Sequence, residues 1–206
     1  MAQDTLHTPP PAPLARRSAL RRWLTLVALT ALLAGADQAS KHWARTSLQD
    51  QLGGRVQVIE GYFALTFVKN PGAAWGFLAR KSESFRRPFF LAVSLLAMGF
   101  ILHLVYRLDE GQRLLLLALS MVMSGAVGNF IDRLRFSYVV DFLDFHWGTR
   151  FKWPTFNIAD VAITVGVGLL FLEMALSALG RRRAKCASAC VPPVYDPRSP
   201  TDPPGP

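Results

Sequence analysis

Apolar residues in this chain gather into four blocks, separated by stretches where charged, glycine and aromatic residues concentrate. The blocks run from Trp23 to Ala39, Pro88 to Tyr106, Leu114 to Ile131 and Ile158 to Leu179. Each spans roughly 17–22 residues, close to the ~20 that a helix needs to cross a bilayer. A helix buried in a soluble core is usually shorter and keeps a polar stripe. The pattern therefore predicts four transmembrane helices, over about 23–42, 88–106, 113–132 and 157–179. The turn at 107–113 is short, which makes the second and third helices antiparallel neighbours.

Two segments between the blocks have a different periodicity. In the stretch 46–80, Val56-Gln57-Val58 and Tyr62-Phe63-Ala64-Leu65-Thr66-Phe67 read as strands, with Phe63, Leu65 and Phe67 alternating with smaller residues. Gly53-Gly54 and Pro71-Gly72 mark turns. The stretch 133–157 carries a strand-like pair, Val139-Val140, and several aromatics, of which Trp147 and Trp153 suit an interfacial belt. The expected fold is an all-α membrane protein: a four-helix bundle with a small extracytoplasmic β-sheet and a periplasmic loop or helix segment. Residues 1–15 and the proline-rich 187–206 show no apolar periodicity and are expected to be disordered tails flanking a membrane domain at 16–186.

Charge orients this arrangement. A net charge of +9 over 206 residues could signal nucleic-acid binding. The basic residues instead cluster beside the blocks: Arg16, Arg17, Arg21 and Arg22 before the first, Arg107 and Arg113 around the short turn, and Arg181, Arg182, Arg183 and Lys185 after the fourth. The positive-inside rule makes those three places cytoplasmic, with both termini inside and no nucleic-acid role. Lys41, Arg45, Arg86 and Arg87 on the other side moderate the bias. Ala34-Gly35-Ala36 fits a signal-peptide cleavage site. Asp37, just beyond it, belongs with other polar residues, so the first block is read as a retained helix. Cys186 and Cys190 imply no disulfide framework, and the four histidines lack metal-ligand spacing, so neither a metal nor a cofactor is expected.

With that topology, polar residues converge on one membrane face. Asp37 and Lys41 end the first helix, Asn129, Asp132 and Arg133 end the third, and Asn157 and Asp160 open the fourth. The spacings i,i+3 and i,i+4 put each set on one side of its helix. Asn70 and Asp141 lie in the two outer segments. Any one of these residues could be a helix cap or boundary ion pair. As a set they mark a site, because ionisable groups at membrane depth are costly if unpaired and are functional candidates by default. Asp141 and Asp160 are the candidate catalytic pair: two nearby carboxyl groups share a proton, one activating water and the other polarising a carbonyl and protonating the leaving amine. Ser40 or Ser124 with Lys41 is the chemical competitor, although adjacent residues on a helix diverge and neither serine sits in a nucleophile elbow. A proton-coupled transporter or a non-catalytic assembly factor would be the other classes. Transport would want polar groups deeper in the membrane, where only His103 and Glu173 are candidates.

Five stretches carry a family resemblance: Asp37-Gln38-Ala39-Ser40-Lys41, Val68-Lys69-Asn70-Pro71-Gly72-Ala73-Ala74-Trp75-Gly76, Gly128-Asn129-Phe130-Ile131-Asp132-Arg133, Val139-Val140-Asp141-Phe142 and Phe156-Asn157-Ile158-Ala159-Asp160. In this order, on a four-span chain, they resemble bacterial lipoprotein signal peptidase (signal peptidase II), from about Leu24 to Leu179. The resemblance implies a monomeric aspartic endopeptidase of the inner membrane that works among membrane lipids without a metal or cofactor. Its substrates would be diacylglyceryl-modified prolipoproteins, cut just before the lipobox cysteine near the periplasmic face. Globomycin-type cyclic peptides would inhibit it. The catalytic pair would be Asp141 and Asp160. Asp37, Lys41, Asn70, Gly72, Ala73, Ala74, Trp75, Asn129, Asp132, Arg133 and Asn157 would support or bind substrate, with Gly72–Gly76 as a flap. Two departures stand out: Ser137 where glycine is usual, and Pro71 after Asn70.

Overall fold

A computed structural model describes residues 13–49, 53–72, 82–148 and 150–189. The chain divides into two compact units, Met1–Phe171 and Leu172–Pro206. Its described elements are helix α1 (Pro13–Trp43), a π-helical turn (Ala44–Gln49), strands β1 (Arg55–Ile59) and β2 (Phe63–Asn70), helices α2 (Glu83–Arg107) and α3 (Arg113–Phe136), strands β3 (Val139–Trp147) and β4 (Phe151–Lys152), and helix α4 (Ile158–Ala189).

Four of the helical stretches are long and apolar enough to cross a membrane: Ala19–Gln49, Glu83–Arg107, Arg113–Phe136 and Ile158–Gly180. The chain is a multi-pass membrane protein, as the expected fold required. Buried residues make up 44% of the apolar window of α3 against 11% in each other span, so α3 is the central helix. Leu26 of α1, Ile101 and Val105 of α2, and Leu119 and Met123 of α3 pack into one cluster. Outward positions are equally apolar, with Leu32, Leu96 and Phe100 exposed, as lipid-facing side chains should be.

Between α3 and the start of α4 the backbones approach closely. A Cβ on Gly125 would lie 2.3 Å from the Ala159 carbonyl oxygen, and one on Gly166 would lie 2.7 Å from Val122 Cγ2. Small residues at such crossings allow the dense packing that holds helices together in lipid. This contact fixes the N-terminus of α4 against the far end of α3.

The strands form one antiparallel sheet in the order β1-β2-β3-β4. The second outer segment thus contributes two strands, and the nine-residue β3 begins with the Val139-Val140 signal. A register shift between Leu65 and Val68 separates two paired stretches of β2 and β3, after which Val68 faces Asp141 and Asn70 faces Val139. Ala44 and Leu48 of the π-helical turn pack with Val140 and Phe142 beneath the sheet. In the second unit, the described structure is the C-terminal part of α4, where Ser177 Oγ donates to Glu173 Oε1 at 3.1 Å.

Candidate active site

The end of the bundle that bears the sheet holds two linked polar groups. The first is a buried ion cluster. Asp37 and Lys41, one turn apart on α1, form an ion pair at 2.8 Å, and Lys41 Nζ also lies 3.1 Å from Asp132 Oδ2 on α3. Lys41 donates further to Asn129 Oδ1 at 3.0 Å. All three charged side chains are at most 2% exposed. Their remaining capacity is used: the Ala159 N–H donates to Asp37 Oδ1 at 2.8 Å, the Val140 N–H to Asp132 Oδ2 at 3.0 Å, and Gln38 Nε2 to Asp132 Oδ1 at 3.0 Å. Buried charges persist only with such full pairing. The cluster ties α1 to α3, to the first turn of α4 and to the start of β3.

The second group is built around Asp141 and Asp160. Asn157 precedes α4 and makes a reciprocal cap with Asp160: its Oδ1 accepts the Asp160 N–H at 3.0 Å, and Asp160 Oδ2 accepts the Asn157 N–H at 3.2 Å. The Asn157 Nδ2 donates to Asp141 Oδ1 at 2.6 Å. One residue therefore bonds both carboxylates. The register explains the other contact. Val68, opposite Asp141, and Asn70, two residues on, share one face of β2. Asn70 Nδ2 thereby reaches Asp141 Oδ2 at 2.8 Å, while its Oδ1 accepts the Gly72 N–H at 2.9 Å. On the opposite side, Asn129 Nδ2 donates to Asp160 Oδ1 at 2.9 Å.

Asp141 is 1% exposed. Burial pushes its carboxyl up from the usual value of 3.8 to about 7, and the charge of Asp160 pushes the same way. Hydrogen bonds from Asn70 and Asn157, and the charge of Lys41, pull it down without cancelling the rise. A carboxyl group poised near neutrality beside a second carboxylate can hold a proton in one step and release it in the next.

Both aspartates line a cleft of about 980 Å³, together with Asn70, Gly72, Arg133 and Phe90. The Arg133 guanidinium sits 5.2 Å over the Phe90 ring, and its buried Nε has no hydrogen-bond partner among the described residues. Gly72 has φ +101, and a Cβ there would lie 2.3 Å from Phe90 Cε2, so both its conformation and its surroundings require glycine.

Of the residues singled out in the sequence, Asp37, Lys41, Asn70, Asn129, Asp132, Asp141, Asn157 and Asp160 join one hydrogen-bonded network, and Gly72 and Arg133 line its cleft. Ala73, Ala74 and Trp75 lie outside the described residues. The serine competitors are otherwise engaged: Ser40 Oγ donates to the Asp37 carbonyl and Ser124 Oγ to the Met121 carbonyl, each at 2.7 Å. Two features were not singled out. Gln38 Nε2 bridges Asp132 and the Gly128 carbonyl, at 3.0 and 3.1 Å; its position three residues before Lys41 was the available signal. Asp144 is fully buried and lies 2.7 Å from Arg55 and 3.6 Å from Lys152, joining β1, β3 and β4.

Four spans with a carboxylate-lined cleft at one end define a membrane enzyme, and solved structures share the architecture. A bacterial membrane enzyme determined by the in meso method at 2.3 Å resolution matches with a TM-score of 0.64 and 30% identity, over 75% of this chain and 89% of that one. A second, at 1.9 Å, matches with a TM-score of 0.62 over 73% and 92%. The family model described as signal peptidase (SPase) II matches residues 29–176. The chain belongs to the signal peptidase II family. Among curated relatives, the lipoprotein signal peptidase of Geobacter metallireducens is 46% identical over 146 residues, which are 71% of this chain and 87% of the relative. That of Syntrophus aciditrophicus is 43% identical over 136 residues, 66% of this chain and 79% of the relative.

Proposed function

We propose that this peptidase removes signal peptides from diacylglyceryl-modified prolipoproteins, cutting before the lipidated cysteine, with Asp141 and Asp160 as the water-activating pair. The observation that carries this reading is the pair itself: two carboxyl groups in one cleft, each fixed by amide donors, one raised to about 7. The ionised member takes a proton from a water, whose oxygen attacks the scissile carbonyl. The protonated member polarises that carbonyl and then protonates the departing amine, so one proton circulates within the pair. The titration belongs to both residues together.

The basic helix ends favour an inner-membrane enzyme with both termini in the cytoplasm and the cleft near the periplasmic face. There a substrate with a membrane-soluble signal helix and acyl chains could enter laterally from the lipid. Globomycin-type cyclic peptides would occupy the same cleft, and the enzyme would act as a monomer. The test is cleavage of a lipidated prolipoprotein by the purified protein, compared with Asp141→Asn and Asp160→Asn. Both variants should lose at least about a hundredfold in kcat. Cleavage persisting in either one removes the pair from the chemistry, and failure of the wild type removes the substrate assignment.

A further inference from the structure

A second cleft, of about 780 Å³, lies at the end of the bundle away from the carboxylates. It is bounded by α1 and the turn between α2 and α3, and is lined by Arg21, Arg22, Asp109, Glu110, Arg113 and Leu116. Charges of both signs meet there, yet no ion pair among the described residues joins these arginines to Asp109 or Glu110. Arg22 crosses the gap, with its NH1 donating to the Leu108 carbonyl. Its Nε is buried without a hydrogen-bond partner among the described residues. At the start of α3, Gln112 provides no side-chain cap. Its Oε1 accepts the Asp109 N–H instead, at 2.8 Å. The positive end of the α3 dipole therefore adds to the three arginines. Leu29, Leu116 and Leu117 continue the cleft along the helices as an apolar wall.

These helix ends fall at headgroup depth, because the apolar blocks begin within two residues of Arg22 and Arg113. We propose that this cleft binds one phospholipid whose headgroup joins a phosphodiester to a primary ammonium, as in phosphatidylethanolamine. The phosphodiester faces Arg21, Arg22, Arg113 and the start of α3, the ammonium faces Asp109 and Glu110, and an acyl chain follows the leucine wall. An anionic headgroup without an amine would satisfy the arginines but leave the two carboxylates without a cation. A trimethylated amine would bring no N–H donors to them. The complementarity of charge thus selects the amine-bearing class.

The test uses the full chain, purified in detergent, stripped of lipid and titrated with phosphatidylethanolamine, phosphatidylglycerol or phosphatidylcholine of matched chains while bound lipid is counted by native mass spectrometry. The wild type should retain one phosphatidylethanolamine about fivefold or more tightly than either competitor. D109N/E110Q should lose that preference and bind phosphatidylglycerol at least as well. R21Q/R113Q should weaken both, by about fivefold per charge removed. All four substituted side chains are exposed, so the variants keep the fold, and an unchanged melting temperature checks this. Arg22 is left in place because it holds the turn. Equal retention of the three lipids by the wild type, no retained lipid, or a preference that survives D109N/E110Q overturns the proposal.

Discussion

Replacing Asp141 by asparagine should reverse the sign of its effect on stability between acid and alkaline pH. The carboxyl is moved from 3.8 to about 7 in the folded protein. Between those values the folded state holds a proton that the unfolded chain has released. Stability of the wild type therefore falls as pH rises across this window and levels off above about 7. A displacement of about three pH units corresponds to about 4 kcal/mol. Solvent screening takes little from this figure, since the group is 1% exposed. Asparagine does not titrate, so the variant escapes the whole penalty. It also loses something, because Asn70 and Asn157 both donate to Asp141, and an amide oxygen can replace only one of the two carboxylate oxygens as acceptor. The unmade bond costs about 1–3 kcal/mol at every pH. The variant should be less stable than the wild type by about 1–3 kcal/mol at pH 4, and more stable by a similar amount at pH 8. Unfolding by sodium dodecyl sulfate in mixed micelles, followed by circular dichroism at half-unit pH steps, measures the difference. A stability difference that stays constant from pH 4 to 8 would show that burial does not perturb this carboxyl.

Three other substitutions probe the scaffold. Lys41→Met leaves Asp37 and Asp132 buried without their shared cation and should destabilise the protein by about 3–5 kcal/mol, visible as a lower melting temperature and reduced membrane yield. Gly128→Ala places a Cβ 2.6 Å from Asp37 Oδ2 and 3.2 Å from Ala159 Cβ; it should cost about 1–3 kcal/mol, and a melting temperature equal to the wild type would refute the close approach of α1, α3 and α4. Ser137→Gly should raise stability by about 1 kcal/mol, because Ser137 ends α3 with φ +63 and, among the described residues, is the non-glycine residue with positive φ. The same thermal assay, with a shift below zero, would count against this reading of the cap.

Much of the site could be read from spacing, because short i,i+3 and i,i+4 relations are set by helix geometry alone. Asp37 with Lys41, Asn129 with Asp132, and Asn157 with Asp160 needed no tertiary information to be placed on shared faces. The spans were legible for the same reason: lipid demands long apolar runs, and these are contiguous in the chain. What the chain does not display locally is pairing. The contact between Asn70 and Asp141 depends on the register shift between Leu65 and Val68, and alternation in β2 is compatible with either register. Alternation also left the buried face open, and it is Ala64 and Thr66, not the bulkier Phe63, Leu65 and Phe67, that are buried. Asp144 shows the same limit. It lies in an aromatic-rich stretch with no recognisable spacing to Arg55, and only the sheet brings them together.

The two polar groups divide the work of the site through the kind of donor each uses. Around Asp37 and Asp132 the shared partner is a full cation, Lys41, which fixes both carboxylates and locks three helices. Around Asp141 the donors are neutral side-chain amides from Asn70 and Asn157. Amides can hold a carboxylate at defined angles but supply only partial charge, so burial still wins and the group stays near neutrality. A lysine in the place of either asparagine would hold the carboxylate just as firmly, but it would drive the proton off Asp141. Asn129 joins the two groups, accepting from Lys41 through its oxygen and donating to Asp160 through its nitrogen. The rigid cluster thereby orients the second carboxylate through a neutral relay, without placing its cation against it.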